Sequence, residues 1–366
     1  MDMTQILDDT QQLIRVKSTA DQPDYLHEAL DIIRNKLIIS GTFSIEEFIS
    51  DGKPSLLAYA SKTRPSRFRV LLNAHIDVVD AQDSQFKPRI ISDRLYGRGA
   101  LDMKTAAIVL TEVFCNLAHK LPYDVGLQIV TDEEVGGAHG TKYQIEQGVA
   151  ADFVFAGEST PANNICTETR GLCWVDIVFA GKTGHGAYPW DGDNAALRAT
   201  EYINELLSEY PVPAAKTWAT TVNVASINTD NATINRIPDK ATISIDIRPI
   251  AGDNHFTDKQ ATMAYLQSLG TQAHIRIREF APSHVANKND ADVKQLAESI
   301  AAHTGESAVF IQKHGASDIR YYSDIKTQAV VYGLPGAGMH GDDEYVDVSS
   351  IETYYKVLQD FLLAIK

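Results

Sequence analysis

Apolar and polar positions alternate along this chain in two different textures. Residues 4–17 set Ile6, Leu7, Leu13, Ile14 and Val16 at helical spacing, and residues 24–39 do the same with Leu26, Leu30, Ile33 and Leu37, so both predict amphipathic helices. Short apolar runs at Ser55–Ala60, Phe68–Ala74, Val125–Val130 and Phe153–Ala156 read as strands. Between them, residues 80–98 predict a polar connection with a turn at Ser92-Asp93. Residues 102–120 predict a helix that buries Met103, Ala106, Ala107, Leu110 and Phe114, and residues 139–147 predict a short helix. Strands alternating with helices argue an α/β domain, a central mixed sheet flanked by helices.

Near residue 172 the texture changes. Cys173–Ala180, Thr221–Ile227, Ala241–Ile247 and Ala273–Phe280 alternate apolar with polar, as half-exposed strands do, and helical patterns at 193–209 and 255–268 lie between them. Four such strands with two helices predict a smaller α+β module of split-βαβ type. After Pro282 the first texture returns: helix 290–303, strand Ala308–Gln312, helix 316–323, strand Gln328–Val331 and a closing helix 348–365. The expected organisation is a discontinuous outer domain, 1–172 with 283–366, interrupted by an insert spanning 173–282.

Composition narrows the function. The chain has 366 residues, 44% hydrophobic and 22% charged, in the ordinary range for a globular protein with room for two domains. A formal net charge of −15 with no basic patch argues against a nucleic-acid partner. No apolar run approaches the roughly 20 residues of a membrane helix, and Met1-Asp2-Met3-Thr4 lacks the start of a signal peptide. Three scattered cysteines, Cys115, Cys166 and Cys173, fit a reducing compartment. The expectation is a cytoplasmic protein.

Candidate chemistry begins at the end of the second strand. The run from Phe68 to Leu72 leads to His75 and Asp77, and sites in open α/β sheets collect beyond the carboxyl ends of strands. A neutral imidazole there suits a transition metal, and an Asp behind it fixes its tautomer. Further motifs follow: Gly97-Arg98-Gly99-Ala100-Leu101-Asp102-Met103-Lys104, Thr131-Asp132-Glu133-Glu134, Gly157-Glu158-Ser159 and Gly338-Met339-His340-Gly341. Taken singly, each carboxylate reads equally as a helix cap or a surface charge.

In this order and spacing the five motifs resemble the M20 family of metallopeptidases and deacylases, which includes acetylornithine deacetylase, succinyl-diaminopimelate desuccinylase, aminoacylase-1 and the glutamate carboxypeptidases. The resemblance covers essentially the whole chain. It implies two zinc ions, with cobalt or manganese as substitutes, held by His75, Asp102, Glu134, Glu158 and His340, with Asp102 bridging. His75 and Glu158 would complete one ion, Glu134 and His340 the other. It also makes the Asp102–Met103 peptide a candidate cis bond, and gives the outer domain the catalytic role and the insert that of a lid commonly used in dimerisation.

Asp77 would support His75, and Glu133 would act as general base on a metal-bound hydroxide. His185, in the Gly-rich turn Gly181-Lys182-Thr183-Gly184-His185, would hold the oxyanion from a partner subunit. Asn235, Arg248 and Arg320 are candidates for contact with a substrate carboxylate, as is Arg170. The sequence departs from the family at Asp80, where relatives carry Pro, at Thr105, commonly Gly, and at Ser159 in place of a Pro; no ligand is lost. The expectation is a homodimeric hydrolase of amide bonds in small N-acyl amino acids. A dipeptidase or carboxypeptidase is the alternative, and a silent binding protein the reading from another class.

Overall fold

The computed structural model describes residues 1–365 apart from 271, 272, 324 and 326. The chain divides into two compact units, Met1–Glu168 with Ala286–Gln312 and Ser317–Lys366, and Thr169–Val285 with Lys313–Ala316.

The first unit opens on α1 (Met3–Arg15), where the Asp2 side chain accepts the N–H groups of Thr4 and Gln5 that the first turn leaves unpaired. Helix α2 (Pro23–Ser40) starts on a proline, whose fixed φ suits that position. There follow β1 (Ser44–Ser50), β2 (Lys53–Tyr59), β3 (Phe68–His75), β4 (Arg89–Ile91), β5 (Arg94–Tyr96), α3 (Thr105–Leu117), β6 (Val125–Val130), α4 (Thr141–Glu146), β7 (Ala151–Ala156) and β8 (Asn164–Thr169). The second unit contributes β9 (Leu172–Ala180), β10 (Gly184–His185), α5 (Ala195–Glu209), β11 (Thr221–Thr229), β12 (Arg236–Ile237), β13 (Lys240–Arg248), α6 (Lys259–Ser268), β14 (Ala273–Ala281) and β15 (His284–Val285). The chain then adds α7 (Ala291–Thr304), β16 (Val309–Lys313), β17 (Gln328–Val331), β18 (Gly336–Ala337), β19 (Tyr345–Asp347) and α8 (Val348–Ala364).

The main sheet of the first unit runs β1-β2-β6-β3-β7-β17-β8. Its middle is parallel, β3 lying between β6 and β7, with β17 beyond β7. Its flanks are antiparallel, so the sheet is mixed. Continuous apolar runs are what a strand covered on both faces requires. Val70, Leu72, Ala74, Phe153 and Phe155 enter a core shared with α1, α2, α3, α7 and α8, while Leu71, Val154 and Ala156 enter the core on the opposite face. Helix α3 is buried nearly all round, as its apolar sequence demands.

Several details depart from the sequence reading. Residues 80–98 contain the β4–β5 hairpin, turning at Ser92 with φ 53°, and β5 pairs with β19 in a second sheet. The helix expected from 102 begins at Thr105; Asp102 has φ −123° and ψ 95°, in an irregular turn ahead of it. The segment expected as a helix at 316–323 is a 3-10 turn, Asp318–Tyr322.

In the second unit, β11-β13-β9-β14 form an antiparallel sheet. Alternate residues of β9 and β13, among them Val175, Ile177, Ile243 and Ile245, pack with α5 and α6 into a single core, and the intervening residues are half-exposed. Period-two alternation is the signature of a sheet covered on one face. Among the described residues no helix is long and apolar enough to cross a membrane.

Candidate metal centre

The parallel strands β3, β6 and β7 stop in register, His75 opposite Val130 and Asn73 opposite Ala156. Their carboxyl ends therefore release three polar segments on the same edge: His75 to Asp77, Asp132 to Glu134, and Glu158. Asp102 comes from the irregular turn before α3, reached through Gly99 at φ 81°, a left-handed value that favours glycine. The Asp102–Met103 peptide is cis. His340 comes from the turn between β18 and β19 and itself has φ 60°.

The two oxygens of Asp102 face two different imidazoles. Oδ1 lies 3.0 Å from His75 Nε2 and Oδ2 3.4 Å from His340 Nε2. His340 Nε2 is also 3.1 Å from Glu134 Oε1. Ligating atoms of Asp102, Glu134 and His340 all lie within 4.8 Å of one another. Such convergence of carboxylate and imidazole donors, without thiolate, fits a hard or borderline divalent cation, and the divided Asp102 carboxylate fits two of them.

Burial opposes a charge on His75, yet the carboxylates of Asp102 and Asp77 raise its pKa well above that of an ordinary imidazole. Hydrogen bonds to Asp102 and Glu134 raise that of His340 to about 10. A cation among these groups reverses that effect, because ligating imidazoles are neutral.

The supporting groups are placed with equal economy. Asp77 is fully buried; its Oδ2 accepts the Glu134 N–H at 3.0 Å and its Oδ1 is 3.5 Å from His75 Nδ1. One carboxylate thus orients the His75 ring, at the end of β3, and the backbone of Glu134 beyond β6. Glu158 accepts a hydrogen bond from Ser317 Oγ at 2.6 Å. Gly333 backs it: a Cβ there would strike the Glu158 carbonyl.

Glu133 and Glu134 sit in a 3-10 turn rather than an extended segment. Burial and the neighbouring Glu158 charge push the Glu133 pKa well above the carboxylate range. Arg320, 2% exposed, donates to the Gly136 carbonyl at 2.6 Å and to Tyr321 Oη at 3.2 Å, and its positive charge is felt at Glu133.

The other expected residues belong to the second unit. His185 on β10 pairs with Arg236 of β12, and the Gly186 N–H donates to the Asn235 carbonyl at 2.7 Å, so His185 and Asn235 share one end of a two-stranded ribbon. His185 is exposed, and its Nδ1 accepts the Ala187 N–H at 3.1 Å, which leaves the proton of the neutral ring on Nε2. Arg248 ends β13 opposite Thr221 and donates to Asp246 at 2.8 Å. Arg170, 5% exposed, donates to Thr221 Oγ1 and Thr217 O, and lies over the Trp218 ring at 5.5 Å. Burial and the Arg248 charge lower its pKa; burial, Arg170 and Lys216 lower that of His314.

A mixed α/β sheet whose parallel strands end on converging carboxylates and imidazoles defines a class, the metal-dependent hydrolases. The particular family follows from comparison: residues 71–364 match the model of peptidase family M20/M25/M40, and the chain belongs to that family. It is 27% identical over 316 residues to succinyl-diaminopimelate desuccinylase 1 of Alteromonas mediterranea, covering 80% of this chain and 81% of that one. It is 29% identical over 330 residues to the succinyl-diaminopimelate desuccinylase of Gluconobacter oxydans, covering 84% of each. Among solved structures it resembles aminopeptidase PepT of Bacillus cereus, with a TM-score of 0.79 at 18% identity over 99% of this chain and 98% of that one. The dinuclear metal-binding peptidase of the M20 family from Bacillus subtilis gives a TM-score of 0.71 at 16% identity over 99% and 97%.

Sequence reasoning passed over Ser317, Lys104, Arg98 and Glu344. Lys104 carried a readable signal, a lysine leading into an otherwise apolar helix; it is fully buried, donates to the Leu13 and Val16 carbonyls at 3.0 and 2.8 Å, and burial lowers its pKa to about 7.

Proposed function

We propose that this chain hydrolyses the amide bond of small N-acyl amino acids, with two zinc ions held by His75, Asp102, Glu134, Glu158 and His340. Cobalt or manganese would substitute. The observation that carries this reading is the divided Asp102 carboxylate, each oxygen directed at a different histidine. When bound, the cations polarise the substrate carbonyl and make water more acidic. Asp77 keeps His75 and the Glu134 backbone in place. Glu133 takes a proton from the attacking water as its oxygen bonds to the carbonyl carbon. It then delivers that proton to the amide nitrogen as the C–N bond breaks.

The second unit supplies recognition. Arg170 feels the Arg248 charge, and His314 feels those of Arg170 and Lys216, so three cations gather around a histidine whose charged form is disfavoured, a setting suited to a substrate carboxylate. Desuccinylase relatives act on an acyl group that itself ends in a carboxylate, which agrees with that cluster. Asn235 and Arg248 contact the substrate, and Arg320 adds positive potential beneath Glu133. The insert, 173–282, serves as lid and as the contact between two copies in the cytoplasm. His185 of one copy, with its proton on Nε2, then donates to the oxyanion in the other. His185→Ala is expected to lower kcat by about 10²–10³-fold with an unchanged circular dichroism spectrum; full activity would remove His185 from the mechanism.

Amino-acid release from N-acetyl and N-succinyl amino acids and from dipeptides, with zinc or a chelator added, tests the reading. The expected result is chelator-sensitive release, fastest from an N-acyl amino acid. Faster release from dipeptides would move the chain to the peptidase alternative. No release by metal-loaded protein would favour the silent binding protein.

A further inference from the structure

Arg98 and Glu344 are among the buried charges that the mechanism does not use. Arg98 is 3% exposed and Glu344 1% exposed, and they meet through Nη1 and Oε2 at 2.6 Å. Taking a charge out of water is costly, and only pairing plus further hydrogen bonds offsets that cost. What matters is where those further bonds go. Glu344 Oε1 accepts the N–H groups of Leu101 at 2.9 Å and Asp102 at 3.1 Å. Arg98 Nη2 donates to the His340 carbonyl at 3.1 Å. One ion pair therefore grips the backbone of two residues whose side chains converge at 3.4 Å, although they are remote in sequence.

The surroundings fix the pair in turn. Tyr96 and Tyr345 stand opposite each other in the β5–β19 ladder, and the Gly97 N–H donates to the Glu344 carbonyl at 3.1 Å. Arg98 and Glu344 thus leave a short sheet side by side. His340 has φ 60°, a conformation uncommon for a residue with a Cβ and one that contacts around it help to hold. The Arg98 bond to its carbonyl is one such contact, and Asp102, in an irregular turn, depends on Glu344 in the same way.

We infer that Arg98 and Glu344 form a positioning pair that sets the distance between Asp102 and His340, and with it the affinity of the His340-side cation. This rests on the reading of Asp102 and His340 as ligands. The two residues touch neither substrate nor cation. They act through the backbone of groups that do, as supporting partners of metal ligands do elsewhere.

The test is equilibrium zinc titration of the metal-free full chain against a chromophoric chelator, with the visible absorption of the cobalt-loaded protein as a second readout. Wild type is expected to bind two equivalents. Glu344→Ala and Arg98→Ala are expected to weaken one equivalent by about 10–100-fold and the other, which shares Asp102 but not His340, clearly less, with the larger change in cobalt absorption on the more weakened one. Glu344→Gln retains an acceptor for the Leu101 and Asp102 N–H groups and should fall between. Should the alanine variants fail to fold, Glu344→Gln and Arg98→Lys carry the same comparison, with folding verified by circular dichroism. Two equivalents bound at wild-type affinity in folded variants would overturn the inference, and so would equal weakening of both, which marks a general loss of structure. A wild-type chain that binds no metal would overturn the ligand reading first and the pair with it, so the two failures are distinct.

Discussion

Glu133→Gln is expected to lower kcat by about 10²–10⁴-fold, the range a positioned proton-transfer group supplies, while metal content stays at the wild-type level. Glutamine keeps the size of the side chain and cannot carry the proton. Separation of roles is what the geometry offers: Glu134 meets His340 at 3.1 Å, and Glu133, its neighbour in the same 3-10 turn, feels the charges of Glu158 and Arg320. Activity assays paired with metal analysis decide it. Loss of metal from the Glu133 variant would show that Glu133 is a ligand and that the assignments within the pair are exchanged.

Phe155→Ala is the substitution with the largest expected cost to stability, about 3–5 kcal/mol. Phe155 is fully buried on β7 and meets Tyr332, Tyr354 and Phe361 with ring centroids 6.1–6.4 Å apart. Truncation removes apolar burial and leaves a cavity among rings held by β17, α8 and their neighbours, which do not collapse into it freely. Because β7 leads directly to Glu158, the loss should loosen the strand end as well as the core. Chemical denaturation measures it; a change below about 1 kcal/mol would mean the rings repack, as volume-conserving swaps in cores do.

Local pattern and short motifs made much of this legible. The apolar runs that became β3, β6 and β7 are continuous because both faces are covered, and a buried strand announces itself in any window that spans it. His75, Asp102, Glu134 and His340 were each visible in a motif, and family resemblance grouped them. Long-range partners were not legible. The residues of β5 look like part of a polar connection until Tyr345–Asp347 pairs with them. Strand β1, Ser-Ile-Glu-Glu-Phe-Ile-Ser, lacks a clean alternation because it lies at the edge of the sheet and is only partly buried. Asp102 looked like the start of a helix because the apolar periodicity extends back past Thr105; the irregular turn is held by the distant Glu344, which no local window contains. Ser317 and Arg98 act through one or two contacts to remote residues, and such contacts leave no periodic trace.

The position of β17 has a consequence for the order in which the molecule assembles during synthesis. This strand lies between β7 and β8 in the main sheet, yet it is made only after the whole second unit has been synthesised. Until Gln328–Val331 arrives, β7 has an open edge on the side that β17 will fill, and His340 follows later still. The antiparallel sheet of the second unit is contiguous in sequence, from β9 to β14, and its pairings close over shorter loops. Vectorial synthesis therefore favours a folded insert emerging from a first unit that still waits for its last parallel strand. Proteolysis of ribosome-stalled chains ending before residue 331, and of full-length chains extended by a linker that carries β17 clear of the exit tunnel, would read that order, protection of the first unit appearing only in the longer chains.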